Sequence, residues 1–218
     1  ASSLSIALAG SPSSGTLVKK SANGPVAGLV FSAGAQSAVT VTSITLTCQA
    51  ALASNAAFGT TGAKDACLDR ISSLSLWNGT TQVGVAKAPD TTSGAAQISN
   101  TNLVIPAGQS INLTVQATFG STASTTSPYD QIAVGIAADA DVQAQDADSN
   151  SVTASRSQGV DDQSDSAAPS VKMTVRNSGV VTYSTDSNPS ATIVVAGKDL
   201  LWVPFASYKA TAQYEEME

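Results

Sequence analysis

Alternation of apolar and polar residues runs through most of this chain and limits what it can fold into. Leu4, Ile6 and Leu8 recur at every second position, and the same spacing returns at Ile111, Leu113 and in the residues that follow. A period of two places alternate side chains on one face of a β-strand. Glycine and proline separate these runs, and no stretch shows the period of an amphipathic helix. The sequence therefore predicts an all-β protein.

Turn signals between the runs indicate how the strands connect. Asn78 and Gly79 lie between two alternating segments in SLSLWNGTTQVGVA and predict a hairpin with a type I′ turn. A second turn is predicted at IPAG, Ile105 to Gly108. In AVTVTSITLTC the apolar phase slips at Thr42, which predicts a β-bulge or a bend between sheets. Many short strands with such turns indicate an antiparallel immunoglobulin-like β-sandwich.

Composition and charge exclude several classes of function. Charged residues make up 12 % of the 218 residues, and the net charge is −6. Without Lys/Arg clusters, nucleic acid is not an expected partner. No apolar run reaches the roughly 18 to 20 residues of a membrane span. The chain has no histidine, so we expect neither a histidine-dependent triad nor any other enzyme activity. A polar, charge-poor surface favours an exported protein at the cell surface.

The two cysteines point to an oxidising compartment. Cys48 ends one strand-like run and Cys67 precedes another. A bridge between them would close a loop of about 20 residues and stabilise the fold by roughly 3 kcal/mol. We predict this disulfide; the alternative is two buried thiols, since a two-cysteine metal site without histidine is not expected.

By composition, the chain divides into a main body, a polar stretch and a tail. Strand-like runs fill residues 1–142, which are predicted to form the sandwich. Residues 143–170 are rich in Ser, Asp, Gln and Ala, and are expected to form a loop or linker with one short strand near Val152. Residues 171–218 are predicted to supply terminal strands that complete this sandwich or one in a neighbouring subunit.

The tail repeats the opening of the chain. GSPSSGTLV near the start corresponds to SNPSATIVV in the tail, with Ile6 falling on Tyr183 and Phe31 on Tyr208. Repetition of this kind marks an array of similar units. Three interpretations stay open. The tail completes its own sandwich, it completes the sandwich of another copy by strand addition, or the chain is an excerpt of a longer protein.

The order of these segments resembles the immunoglobulin-like sandwich repeat of large bacterial cell-surface proteins, over roughly residues 3 to 154. In that family a hairpin similar to LYDGTTQVG is matched here by Leu76, Asn78, Gly79 and Val83, and an IPAG turn by Ile105 to Gly108. The insertion between the cysteines departs from the pattern. The resemblance implies a scaffold, adhesin, surface-layer or extracellular-fibre role, and no enzyme activity.

The acidic stretch ADADVQAQDADSN supplies candidate metal ligands. Carboxylates at alternate positions suit Ca²⁺, which takes six to eight oxygen ligands. The EF-hand pattern is not matched, because its central glycine and terminal glutamate are missing. The alternative is a solvated acidic loop. No cofactor other than calcium is considered, and its candidate ligands are Asp139, Asp141, Asp146 and Asp148.

Two sequons and one aromatic group complete the candidate sites. Asn78 and Asn112 fit the N-glycosylation pattern, but neither has the acidic residue two positions earlier that bacterial sites commonly require, so chance occurrence is the preferred interpretation. Trp202, Phe205 and Tyr208 could form a carbohydrate-binding face. Alternation places Phe205 and Tyr208 on opposite faces, which favours a buried anchor at an interface within the chain or between subunits.

The sequence as a whole predicts a structural subunit of a bacterial surface assembly, a filament or a surface layer, in which copies of the chain join by strand complementation. The alternative is an adhesin or carbohydrate-binding module that recognises a glycan or a host surface. The predicted subunit interface combines an exposed first strand with the tail. Its residues are Leu4, Ile6, Leu8, Ile193, Val195, Trp202, Val203 and Phe205.

Overall fold

The computed structural model describes residues 2–18, 24–51, 67, 70–91, 93–120, 131–157, 171–176, 179–188 and 206–213, with the backbone alone at 49–51. The chain divides into two compact units, Ala1–Asn177 and Ser178–Glu218. The strands are β1 (Leu4–Leu8), β2 (Gly15–Val18), β3 (Gly24–Ala33), β4 (Val39–Ala51), β5 (Ile71–Asn78), β6 (Thr81–Lys87), β7 (Ala95–Ile105), β8 (Ser110–Phe119), β9 (Gln131–Gly135), β10 (Val142–Asp146), β11 (Ala154–Arg156), β12 (Met173–Arg176), β13 (Val180–Thr185) and β14 (Tyr208–Gln213).

The first unit contains two sheets. In one sheet the strand order is β11, β1, β3, β8, β5 and β6, antiparallel except for the short parallel pair of β1 and β11. In the other the order is β10, β4, β9, β12 and β2, with β7 pairing the opposite edge of β4. β10 and β9 pair successive parts of β4, and a 3₁₀ turn at Asp139–Asp141 lies between them.

One apolar core contains side chains from both sheets. Leu29 and Phe31 of β3 and Leu46 of β4 are fully buried. The alternation in the sequence explains this burial, because every second side chain of a strand faces the opposite sheet. The all-β, sandwich-like fold predicted from the sequence is confirmed.

The predicted irregularity of β4 is confirmed as a β-bulge. Opposite β10, residue Thr42 is the extra residue, because Ser43 pairs with Gln143 and Val41 with Ala144. On the other edge, the facing segment of β7 contains buried Thr101, whose hydroxyl donates to the Val41 carbonyl at 2.6 Å. Asn100 and Asn102 have φ of 54° and 41° beside it, a distortion that the alternation in the sequence does not indicate.

The predicted hairpin forms, but its turn lies one residue later than expected. Asn78 is the last residue of β5 and pairs with Thr81, so Gly79 and Thr80 form the two-residue loop. Gly79 has φ of +59°, and glycine at the first loop position is the preference of a type II′ turn, not of type I′. At the second predicted turn, Gly108 has φ of +69°.

The predicted boundary at residue 142 is too early. Residues 143–170 were predicted to form a loop or linker with one short strand near Val152. β11, Ala154–Arg156, matches that short strand, but Val142–Asp146 is a further strand that crosses the predicted boundary. β12, assigned to the tail in the prediction, pairs with β9 and β2 of the first unit. The strand β10 was missed because its buried residues are few and separated by polar ones. Within the described residues 142–157, only Val142, Ala144, Val152 and Ala154 are buried, whereas Gln143 and Ser155 are exposed.

The expectation of an exposed first strand is wrong. β1 lies between β3 and β11, and Leu4 and Ile6 are each 1 % exposed, while Leu8 packs partly buried against the core. The physical reason is that the polar stretch supplies β11, which pairs with the outer edge of β1. The apolar face of β1 therefore belongs to the core of its own sandwich.

In the part of the second unit that the structure describes, β13 and β14 form one antiparallel pair. Tyr183 lies opposite Ala210, just as Ile6 lies opposite Phe31 where β1 pairs with β3. The pairing of the first unit's opening strands thus recurs in the tail. In this register Ala210 occupies the place of Phe31, whereas the comparison of the two sequence segments places Tyr208 there. Tyr208 and Ala210 are two positions apart and lie on the same face of β14, so the predicted apolar face is unchanged.

Candidate functional site

The strand pair of the second unit has one apolar and one polar face. Successive side chains of a strand point to opposite faces, and the antiparallel register brings like residues of the two strands together. One face carries Thr182, Ser184, Lys209, Thr211 and Gln213, with Val180 at its end. The other, which we call the tail face, carries Val181, Tyr183, Thr185, Tyr208, Ala210 and Ala212.

The tail face is open to solvent, unlike its counterpart in the first unit. Tyr183 is 75 % and Tyr208 70 % exposed. The two tyrosines are diagonal neighbours, since Tyr183 lies opposite Ala210, and such neighbours are roughly 7–8 Å apart. In the matching pair of β1 and β3, Ile6 and Phe31 are buried. The tail face therefore has the alternating apolar side chains of a core-facing surface, but these side chains are not buried.

The remaining predicted interface residues of the tail lie outside the described part of the chain. They are Ile193, Val195, Trp202, Val203 and Phe205. Tyr208, which the sequence groups with Trp202 and Phe205 as an anchor within the chain or between subunits, is exposed in this chain. This exposure argues against an anchor within the chain, and the anchor between subunits stays a prediction. The described neighbour of Tyr208 on the sheet is Tyr183, which the predicted interface does not include.

Asp146 organises the turn between β10 and β11. Its Oδ1 accepts hydrogen bonds from the backbone N–H of Asn150 at 2.9 Å and of Asp148 at 3.0 Å, and the Asn150 side-chain amide donates to both of its oxygens. The hydroxyl of Ser2 donates to Oδ2 at 3.1 Å. This carboxylate therefore connects the turn to Ser2, two residues before the start of β1.

The other candidate calcium ligands also have protein partners or lie apart. Asp139 forms a salt bridge of 2.9 Å with Arg156, and the Asp141 carboxylate accepts from the backbone N–H of Ala138 at 2.9 Å. Asp148 is exposed. Among the described residues, no three acidic, cysteine or histidine side chains come together as a group that could hold a metal ion. Calcium binding stays a prediction without a described ligand cluster.

We predict a pH-dependent contribution of Asp146 to stability. The backbone N–H of Asn150 is the main cause that lowers the pKa of Asp146 below its ordinary value of 3.8. A lowered pKa in the folded state means that the stabilisation is present above pH 3.8 and is lost as the pH falls through the folded-state pKa. Asp146→Asn should therefore lower the melting temperature at neutral pH, with the difference from wild type shrinking in acid.

Asp148→Asn is the matched control for this experiment, because Asp148 lies in the same turn and its carboxylate is exposed. Thermal melts of both variants across the acidic range provide the measurement. A melting difference for Asp146→Asn that stays constant from neutral pH to well below pH 3.8 would contradict the assigned role.

The predicted disulfide between Cys48 and Cys67 is present, with a Cα–Cα distance of 6.1 Å. Both cysteines are buried, and so is Arg70, at 2 % exposure. The backbone N–H of Arg70 donates to the backbone carbonyl of Cys67, and the backbone carbonyl of Arg70 accepts from the backbone N–H of Gly120. Nothing in the sequence indicated that this arginine is buried, because arginine side chains are usually exposed.

Both residues that fit the N-glycosylation pattern are exposed. Asn78 ends β5 beside the hairpin turn, and Asn112 lies on the outer face of β8, where it alternates with the buried Leu113. Access is therefore open at both residues, and chance occurrence of the pattern stays the preferred interpretation.

Comparisons with known proteins do not identify the chain: no family model and no curated protein matches it. Within the described segments there is no helix with the length and apolar character needed to cross a bilayer. The fold, the disulfide and the tail face are therefore the observations on which a function can be proposed.

Proposed function

We propose that this chain is a structural subunit of an extracellular bacterial surface assembly, a filament or a surface layer, in which the tail joins one copy to the next by strand complementation. The sandwich serves as the repeated body, and the second unit serves as the connector. The resemblance to the sandwich repeats of bacterial cell-surface proteins is part of this proposal.

The observation that carries the proposal is the open strand pair of the second unit. A two-stranded sheet is at best marginally stable alone and needs further strands or a packing partner. In the described part of the chain, β13 and β14 pair only with each other, so the outer edge of each has no strand partner there. Such edges accept a strand from another chain.

The disulfide supports an extracellular location. Disulfides form and persist in oxidising compartments and are rare in the cytosol. The bridge joins β4 of the sandwich to Cys67, shortly before β5. A protein of a surface assembly benefits from this constraint, because it must stay folded without the chaperones of the cytosol.

Electron microscopy of native material tests the proposal, together with a chain that ends at Asn177. We expect filaments or sheets from the intact chain and none from the truncated chain, whose circular dichroism should still report a folded β protein. Removing the second unit eliminates the edges and the tail face but leaves the first unit. An intact chain that stays monomeric at high concentration would refute the proposal.

A second candidate is an adhesin or carbohydrate-binding module, and one observation favours it. Two exposed tyrosines side by side on a sheet face offer rings on which a sugar can stack. Binding to a glycan array, with and without a chelator, separates this candidate from the first. Glycan binding that is lost on Tyr183→Ala, by a chain that forms no assembly, would favour the module.

A further inference from the structure

We infer that the tail face binds the same face of a second copy of this chain, in a weak two-fold contact that becomes effective where many copies are arrayed. The inference deepens the proposed function and rests on it for that array. Strand complementation joins copies through the edges of the strands. The tail face would supply a second, separate contact between copies that lie side by side.

The first step is that the tail face has the composition of a surface that becomes buried. Its equivalent on β1 and β3 is covered in the sandwich core, with Ile6 at 1 % and Phe31 at 0 % exposure. On β13, Tyr183 occupies the place of Ile6 and Val181 the place of Leu4, which is 1 % exposed. Tyr183 and Val181 are nevertheless 75 % and 40 % exposed. Exposed apolar side chains that are grouped on one face, unlike apolar residues scattered singly, make that face a candidate interaction site.

The second step concerns charge. The chain has a net charge of −6, so two copies repel each other as they approach. The tail face contains no acidic or basic side chain, and Lys209 lies on the opposite face. Two copies can therefore bring their tail faces together without placing like charges in contact or burying an unpaired charge.

The third step is the arrangement of large and small side chains. Across the strand pair, Tyr183 lies opposite Ala210 and Val181 lies opposite Ala212. A two-fold axis places the same surface on both partners. The large side chains of one copy can then pack over the alanines of the other, as the inner faces of stacked sheets interdigitate at about 10 Å.

The fourth step is the area, which sets the strength of the contact. With 75 % and 70 % exposure, the two tyrosine rings offer roughly 200–350 Å² per copy. A stable interface of ordinary size buries about 800 Å² per partner. An isolated pair of tail faces should therefore associate weakly, whereas an assembly that holds many tails close together gains avidity from them.

Sedimentation of the intact chain from micromolar to millimolar concentration tests the inference. Tyr183→Ser combined with Tyr208→Ser should weaken self-association by about tenfold or more, since central aromatic residues dominate such contacts. Val180→Ser is the matched control, because it removes an exposed apolar side chain from the opposite face of the same strand. We expect the control to associate like wild type.

A cross-linking experiment provides a second readout. Ala210→Cys places a thiol on the tail face and Thr211→Cys places one on the polar face of β14. The native cysteines are buried in a disulfide and do not compete. A short bismaleimide should link two copies of the Ala210→Cys chain at millimolar concentration and leave the Thr211→Cys chain unlinked.

Three results would overturn the inference. The two tyrosine substitutions could leave self-association unchanged, or the Ala210→Cys and Thr211→Cys chains could cross-link equally. The third result is that the chain binds a soluble polysaccharide and that the tyrosine substitutions abolish this binding while self-association persists. Failure here is distinguishable from failure of the proposed function. Tail-face variants that still form normal assemblies refute this inference alone, whereas an intact chain that pairs through its tail faces but forms no assembly refutes the proposed function alone.

Discussion

Replacing Gly84 by alanine is expected to destabilise the sandwich by about 2 to 5 kcal/mol. Gly84 has φ of +70° in β6, a conformation that costs residues with a Cβ about 1–2 kcal/mol. An added Cβ would also lie 2.6 Å from the Cγ2 of Ile98 and 2.9 Å from the carbonyl oxygen of Ser99. The backbone of β7 would have to move, because it supplies one of these atoms. Urea denaturation of the wild type and of the Gly84→Ala variant measures the loss in the free energy of unfolding.

Gly79→Ala is the matched control for this substitution. Gly79 has a similar φ of +59°, but an added Cβ would meet nothing within 4 Å. Its cost should be the conformational term alone, about 1–2 kcal/mol. The difference between the two variants isolates the close approach of β6 to β7. Equal losses at the two positions would contradict the close packing assigned to Gly84.

Removing the disulfide by substituting alanine for Cys48 and Cys67 should lower the free energy of unfolding by about 3 kcal/mol. The bridge spans 19 residues, and the loss of this constraint increases the entropy of the unfolded chain. Both side chains are fully buried, so their truncation adds a small packing cost. Urea denaturation of the variant and of the oxidised wild type gives the difference.

Reduction provides the control for this prediction. A reducing agent strong enough to open the bridge should lower the stability of wild type to near that of the double alanine variant, and should leave the variant unchanged. A wild type that loses less than about 1 kcal/mol on complete reduction would show that the bridge constrains little of the unfolded chain.

The sequence predicted the parts of the fold that depend on alternation. Strict alternation marked β8, the phase slip at Thr42 marked the bulge in β4, and Gly79 marked the hairpin to within one residue. These features are local, because the residues that cause them lie next to one another in the chain. The disulfide was also predictable, because few alternatives exist for two cysteines.

The sequence did not predict features that depend on distant partners. Whether β1 is internal depends on β11, which follows it by well over one hundred positions and has only three residues. The roles of Asp139 and Asp146 depend likewise on Arg156 and on Ser2. Alternation fixes which face of a strand is apolar, as it did for Tyr183, but not what covers that face.

The most direct test of this account compares the unfolding free energy of the intact chain with that of a chain ending at Asn177. If the second unit serves to join copies, as proposed, the first unit must fold into its sandwich without it. We therefore expect the two free energies to agree within about 0.5 kcal/mol, as for changes remote from a core. A truncated chain that fails to fold, or loses several kcal/mol, would contradict this account, because the tail would then complete its own sandwich.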